Sequence, residues 1–458
     1  MFIIIGLGAL LAVAGFLRPP KRALDLLLPR FVIPILFWGV TFWPSLKILL
    51  FGEDPTQPLN VVYHEQQMGA ALVYFLACMV ACWTGFLLLP KDWGKGARLT
   101  RNFRLRISSP SRVRTVSYWL ITGSFVMALL GKGPALFNEN WGASPVGEYP
   151  VIFYITTFLV PASATMAAVI FGLVWPSDRQ DRHLGLYLGG LLMLTLASIT
   201  HMASFSRGAG VMLPLIVLGY IGGSGRIPVK TLFIAGGFAI YASAVGLSGR
   251  GIYGHNGGAL LYLKHFFSGE VAISDAFGSG GSATESLTPL CVVMQAAVAG
   301  VDLTPMSKIR WLFFQIPVPH IGGLGGSFTL DATIMVGGVG NFGYTATMFG
   351  DTFGHFGWLG ALAFCYMGAL YRLVENIATK PIDLTMETPI IWVVLPATYF
   401  AFMAGNFNTF RAWNSSFTFS VGMVVLVFWA IGRMLGSQPH EEQPQDELPM
   451  LPDDPSFY

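Results

Sequence analysis

Asp351 and His355 stand four residues apart in the run Gly350-Asp351-Thr352-Phe353-Gly354-His355-Phe356-Gly357-Trp358-Leu359-Gly360. If a helix has begun there, that spacing puts a carboxylate and an imidazole on one face. Such a pair suits a general base, or a grip on a sugar hydroxyl. The competing role is structural: Asp351 or Thr352 as a helix N-cap, with His355 at a membrane interface. His265 is a third candidate base.

Arginine supplies the second chemistry. Arg207 interrupts a long apolar run in Ser206-Arg207-Gly208, Arg250 stands in Ser248-Gly249-Arg250-Gly251, and Arg411 ends Asn406-Phe407-Asn408-Thr409-Phe410-Arg411. Glycines beside the first two let backbone N–H groups approach a ligand. Guanidiniums converging from these positions would bind a pyrophosphate, because the planar fork is bidentate to phosphate oxygens. Snorkelling to lipid headgroups is the alternative for any one of them. Tyr253, Trp311 and His320 are candidate sugar contacts in a stretch rich in aromatics (Phe313, Phe314, Phe328). His255, Glu270, Asp275, Glu285, Asp302 and Asp331 fall in the same stretch and read singly as solvated loop residues.

Other chemistries are disfavoured. Gly338-Val339-Gly340-Asn341-Phe342-Gly343 matches a dinucleotide fingerprint but has no strand–helix–strand context. No lysine follows a glycine loop as in a nucleotide-triphosphate site, and no carboxylate pair has metal-site spacing, so neither metal nor cofactor is expected. No nucleic-acid partner is expected. Cys78, Cys82, Cys291 and Cys365 form neither a disulfide framework nor a zinc spacing, and Cys78 and Cys82 read as packing residues on one helix face.

What must position these residues is a set of membrane helices. Hydrophobic residues make up 53% of the 458 positions and charged residues 11%. Mean hydropathy is +0.60. A soluble chain of this length needs more charge to cover its surface. Apolar runs of about twenty residues recur, while strand alternation is weak, which disfavours a β-barrel. The expected fold is an all-α polytopic membrane protein with about 11 transmembrane helices, near 1–17, 31–51, 68–90, 115–131, 150–175, 184–204, 209–223, 231–248, 353–373, 388–405 and 416–434. Residues 1–248 would carry helices one to eight, 249–352 a large loop capping an outward-facing cavity, 353–436 the last three helices, and 437–458 a disordered acidic tail. A loop of that length needs elements of its own. The apolar piece Leu287 to Val301 reads as a helix lying on the bundle or re-entering it. No internal repeat is evident.

Lysine and arginine set the orientation. Loops 18–30 and 91–114, and the basic residues Arg179, Arg182, Arg226, Lys230, Arg372, Lys380 and Arg433, alternate correctly to share the cytoplasmic face, with 19 of the 27 basic residues. The outer face holds the other eight: Lys47, Lys132, Arg207, Arg250, Lys264, Lys308, Arg310 and Arg411. The N-terminal run has its charges behind it (Arg18, Lys21, Arg22), so it reads as a retained helix with an outer N-terminus rather than a cleaved signal.

On these motifs the chain resembles the Wzy-type oligosaccharide repeat-unit polymerases. The resemblance lies in Ser206-Arg207-Gly208 between two spans, in the large outer loop, in the Pro-rich stretch from Arg310 to Pro319, and in Gly350-Asp351 through Phe356-Gly357-Trp358-Leu359-Gly360. It implies a GT-C-type inverting, metal-independent glycosyltransferase of a bacterial inner membrane, with its active site facing the periplasm. Its substrate would be an undecaprenyl-pyrophosphate-linked oligosaccharide, and it would contact membrane lipid. A chain-length regulator and a flippase are the partners implied. Arg207, Arg250, Arg411 and Arg310 would hold the pyrophosphate, while Asp351, His355 or His265 would take the acceptor proton. O-antigen ligases share the plan, and a polysaccharide transporter or flippase remains an alternative.

Overall fold

The computed structural model describes residues 1–20, 28–52, 58–90, 119, 122, 126, 229–253, 258–271, 286–301, 308–314, 347–378, 410, 413 and 414. Every regular element among them is helical. In chain order they are α1 (Phe2–Val13) with a 3-10 turn (Ala14–Leu17), α2 (Pro29–Phe51), α3 (Pro58–Leu88) and α4 (Val229–Tyr253). Then follow α5 (Gly258–Phe266), α6 (Leu287–Val298), α7 (Lys308–Phe314), α8 (Thr347–Phe356), a 3-10 segment (Gly357–Leu362) and α9 (Ala363–Ala378).

Among the described residues, three stretches are long and apolar enough to cross a membrane: Pro29–Phe51, His64–Leu88 and Thr347–Asn376. They fall on the expected spans 31–51, 68–90 and 353–373. Shorter apolar helices lie at the expected spans 1–17 and 231–248. The expected spans 150–175, 184–204, 209–223, 388–405 and 416–434, most of 115–131, and the tail 437–458 lie outside the described residues.

Proline and glycine shape the N-terminal half. Pro29 opens α2, where a missing N–H removes no helical bond. Pro34 and Pro44 lie inside α2, and each deletes one i to i−4 bond. Pro34 thereby strips the Arg30 carbonyl of its helical donor. The turn after α1 packs at this spot: a Cβ on Gly15 would overlap the Arg30 oxygen. Two indoles also hold α1. Trp38 donates to the Ile5 carbonyl at 3.3 Å and Trp83 to the Leu11 carbonyl at 3.0 Å.

The tightest seam runs between α3 and α9. A Cβ on Gly85 would overlap the Cys365 carbonyl, and a Cβ on Gly368 would overlap the Cys82 carbonyl. The two helices thus present matching Cys-x-x-Gly steps to each other, and the small residues let the backbones touch. Cys78 and Cys82 are packing residues here, and all four cysteines are free. Above the seam, Phe37, Phe75 and Phe364 surround Phe349, with Phe349 and Phe364 stacked at 5.2 Å.

α6 is the helix expected within the long loop. Every side chain from Leu287 to Met294 is buried, mainly against α3 and α8. It packs into the bundle rather than lying on it. His64 shares a hydrogen bond with Thr288 at 2.9 Å, and Gln67 donates to Gln295 at 2.6 Å. α4 and α5 form a second pair, in which Tyr262 donates to the Ala242 carbonyl and Tyr241 to that of Phe266.

Gly368→Leu forces a side chain into the Cys82 carbonyl, while Gly39→Leu meets open space. Overpacking of this kind costs about 1–3 kcal/mol or more. Thermal unfolding in detergent should show a clear drop for Gly368→Leu and none for Gly39→Leu. Equal melting points would mean that the seam is not tight.

Candidate functional site

Asp351 and His355 both lie inside α8, which begins at Thr347. Asp351 is therefore in the helix body and does not cap it. The helix starts six residues ahead of the expected span at 353. Gly350 and Gly354 weaken any helical signal there, so the burial of the segment, not its propensity, makes it helical. Thr347 starts it with a left-handed backbone (φ 49), unusual for a β-branched residue. Gly357 (φ 58) ends it, and the chain passes into the 3-10 segment.

The Asp351 carboxylate is buried and ties three segments together. Its Oδ1 accepts the Trp311 indole N–H at 3.1 Å, and its Oδ2 accepts the Phe410 backbone N–H at 3.0 Å. His355 Nδ1 lies 2.8 Å from the Asp351 carbonyl and 3.3 Å from Oδ1. A carbonyl oxygen only accepts, so Nδ1 carries the proton. In the neutral imidazole the lone pair is then on Nε2, the atom able to receive a proton. Trp311 closes over His355, with ring centroids 5.7 Å apart.

The next residue locks α8 to α3. The Thr352 hydroxyl bonds the Tyr74 hydroxyl at 3.0 Å and donates to the Met348 carbonyl at 2.8 Å. Gly360 leaves room for the Thr352 carbonyl beneath it. Tyr74 is fourteen residues from Leu88, the last residue of α3. At the helical rise that is about 21 Å, shorter than a hydrocarbon layer of about 30 Å.

That far end is basic. Glu375, buried, accepts from Arg372 Nη1 at 3.2 Å, and the Arg30 guanidinium lies 3.4 Å away. Asn376 donates to the Pro90 carbonyl at 3.1 Å. Arg30, Arg372 and the end of α3 thus share one end of the bundle. Asp351 and His355 lie toward the other end.

The remaining candidates distribute as follows. Trp311 is buried, with its indole edge on Asp351 and its ring against His355, Phe356 and Phe410. Arg310 precedes it in α7, and Arg411 directly follows Phe410, so both partners of the Asp351 carboxylate have a candidate arginine as chain neighbour. Arg250 and Tyr253 lie in the last turns of α4, which continues past the expected span end at 248. His265 is buried in α5 and shares a 2.7 Å hydrogen bond with Ser248 of α4. It belongs to the α4–α5 pair, whereas Asp351 belongs to the group of α3, α7 and α8. Arg207, Arg411 and His320 lie outside the described residues, as do Asp275, Glu285, Asp302 and Asp331.

Sequence reasoning overlooked Tyr74, Glu375, His64 and Gln295, and weighed Thr352 only as a helix cap. Their readable signal is a polar group inside an apolar run, since such a group needs a partner in a low-dielectric layer. The identity of that partner is not written locally. Among the described residues no three His, Cys, Asp or Glu side chains converge as metal ligands would. Compared with protein-family models, with curated proteins and with solved structures, the chain matches none.

Asp351→Ala leaves two buried N–H donors without acceptors, at about 1–3 kcal/mol each. Trp311→Phe removes one of those donors. The double variant should therefore unfold at less than the sum of the two single losses in denaturant titrations. Strict additivity would separate Trp311 from Asp351.

Proposed function

We propose that the chain is an eleven-span enzyme that polymerises undecaprenyl-pyrophosphate-linked oligosaccharide repeats at the periplasmic face of a bacterial inner membrane. The observation that carries this reading is the buried Asp351–His355 pair, inside a helical stretch long and apolar enough to cross a membrane and away from the basic end. An ionisable pair in such a position needs a reason beyond packing. The alternation of basic loops and the motif resemblance support the topology and the substrate class.

In this reading the acceptor hydroxyl attacks the anomeric carbon of the donor sugar. Its proton passes to His355 Nε2, whose tautomer is set by the Asp351 carbonyl. The bond from the anomeric carbon to the pyrophosphate oxygen breaks, and the electron pair leaves with the lipid pyrophosphate. Arg207, Arg250, Arg310 and Arg411 would stabilise that developing charge without a metal. Arg310 and Arg411 are the best supported, since their chain neighbours Trp311 and Phe410 both bind Asp351. Trp311 covers His355, so α7 would have to shift for a sugar to enter.

The break at Gly357–Leu362 favours a second reading, because discontinuous spans also line transport pathways. Purified protein reconstituted with lipid-linked repeats, without added metal, distinguishes the two. A polymerase yields a ladder of lipid-linked oligomers, whereas a flippase moves single repeats across the bilayer and makes no ladder. Transfer of finished polymer to a lipid A-type acceptor would instead indicate a ligase.

His355→Ala and Arg411→Ala should each lower ladder formation by about 100-fold or more, the usual cost of losing a general base or a charge-stabilising group. Membrane levels should stay normal. Full ladders from both would remove this site from the chemistry. A tag inserted at Gly280 should label from the periplasm; cytoplasmic labelling would reverse the orientation.

A further inference from the structure

The proposed base is shut away. His355 and Asp351 are each only 3% exposed. A hydroxyl that gives its proton to the imidazole must come within hydrogen-bond reach, about 2.6–3.2 Å. Part of the cover therefore has to move, and α7 and α8 are the two helices that meet there.

α8 is held in place. The Thr352 hydroxyl ties it to Tyr74 of α3, and the Thr352 carbonyl lies where a Cβ on Gly360 would stand. Phe349 is enclosed by Phe37, Phe75 and Phe364. α7 is built differently. It has seven residues, and a helix that short has little stability of its own. One face is open: Lys308 is exposed, as are Ile309 at 70% and Leu312 at 58%. On the other face Trp311 is buried, its indole N–H on Asp351 at 3.1 Å and its ring against His355, Phe356 and Phe410. One side chain thus both covers the base and attaches the short helix that carries it.

We propose that α7 is a gate over His355, latched shut by the Trp311 indole on Asp351, and that it swings away to admit the lipid-linked acceptor. This is regulation of the proposed polymerase site, so the purpose of the gate rests on that reading, whereas its motion does not. Arg310 stands on the same helix and moves with it. A site that is closed when empty keeps water from the base and so limits loss of the activated sugar to hydrolysis.

The test uses full-length protein in detergent, with two readouts that need no substrate. In hydrogen–deuterium exchange of the wild-type protein, the α7 amides should exchange at least about tenfold faster than those of α8, because a local opening frees α7 alone. Equal protection of the two helices would overturn the gate without any variant. The second readout is modification of His355 by diethyl pyrocarbonate, located by peptide mass spectrometry. Trp311→Phe keeps an aromatic ring over His355 but deletes the latch, a hydrogen bond to a charged acceptor. It should speed modification of His355 about tenfold and leave that of His265, buried in the α4–α5 pair, unchanged. No acceleration at His355, or equal acceleration at both histidines, would overturn the proposal, the second because it marks general loosening. In the ladder assay the same variant should lower KM for lipid-linked repeats, since more of the protein is open. Fast α7 exchange and faster His355 modification in a protein that makes no ladder would keep the gate and remove the polymerase reading. A wild-type ladder with His355 modification unchanged in Trp311→Phe would remove the gate and keep the polymerase reading.

Discussion

The α3–α9 seam is the constraint on which the rest of the structure depends. Two glycines, Gly85 and Gly368, let two backbones meet where any side chain would hold them apart. In a membrane there is little hydrophobic drive between helices, so contact of this kind sets geometry through packing and dispersion. Once the seam is fixed, the two ends of α9 and of the helix before it are fixed as well. Glu375 meets Arg30 at one end, and Thr352 meets Tyr74 toward the other. The site and the basic end are then held at a set separation by a rigid rod.

Asp351 works on a different scale. Its carboxylate joins α7, α8 and Phe410, segments separated by 40 and 59 positions in sequence. Neither oxygen is left for bulk water, and the imidazole sits beside one of them. A group with so many local duties is well oriented, and preorganisation is what electrostatic catalysis requires. The same arrangement makes Asp351 poor as a mobile base. In the proposed reaction Asp351 would orient and His355 would accept, because the Asp351 oxygens are already engaged.

Much of the scaffold was legible. The apolar runs that became α2, α3 and the α8–α9 stretch announce themselves by length and by lack of charge, and the Asp351–His355 spacing marked a shared face. What escaped was non-local. Nothing local to Glu375 names its partner, and only the fold brings Arg30 to it across 345 positions. Trp311 reads as an exposed aromatic platform in a long loop, yet the indole N–H is spent on a carboxylate. The start of α8 was misplaced because glycines at 350 and 354 argue against a helix that burial enforces. Propensity is a weak prior when packing decides.

α6 has a consequence for how the protein is made. At twelve residues it reaches only about 18 Å, well short of the hydrocarbon thickness. Such a segment is too short to integrate as a span of its own during synthesis. Its side chains from Leu287 to Met294 are buried against α3, made before it, and α8, made after it. The burial of α6 is therefore completed only when α8 arrives, so this part of the bundle closes out of chain order.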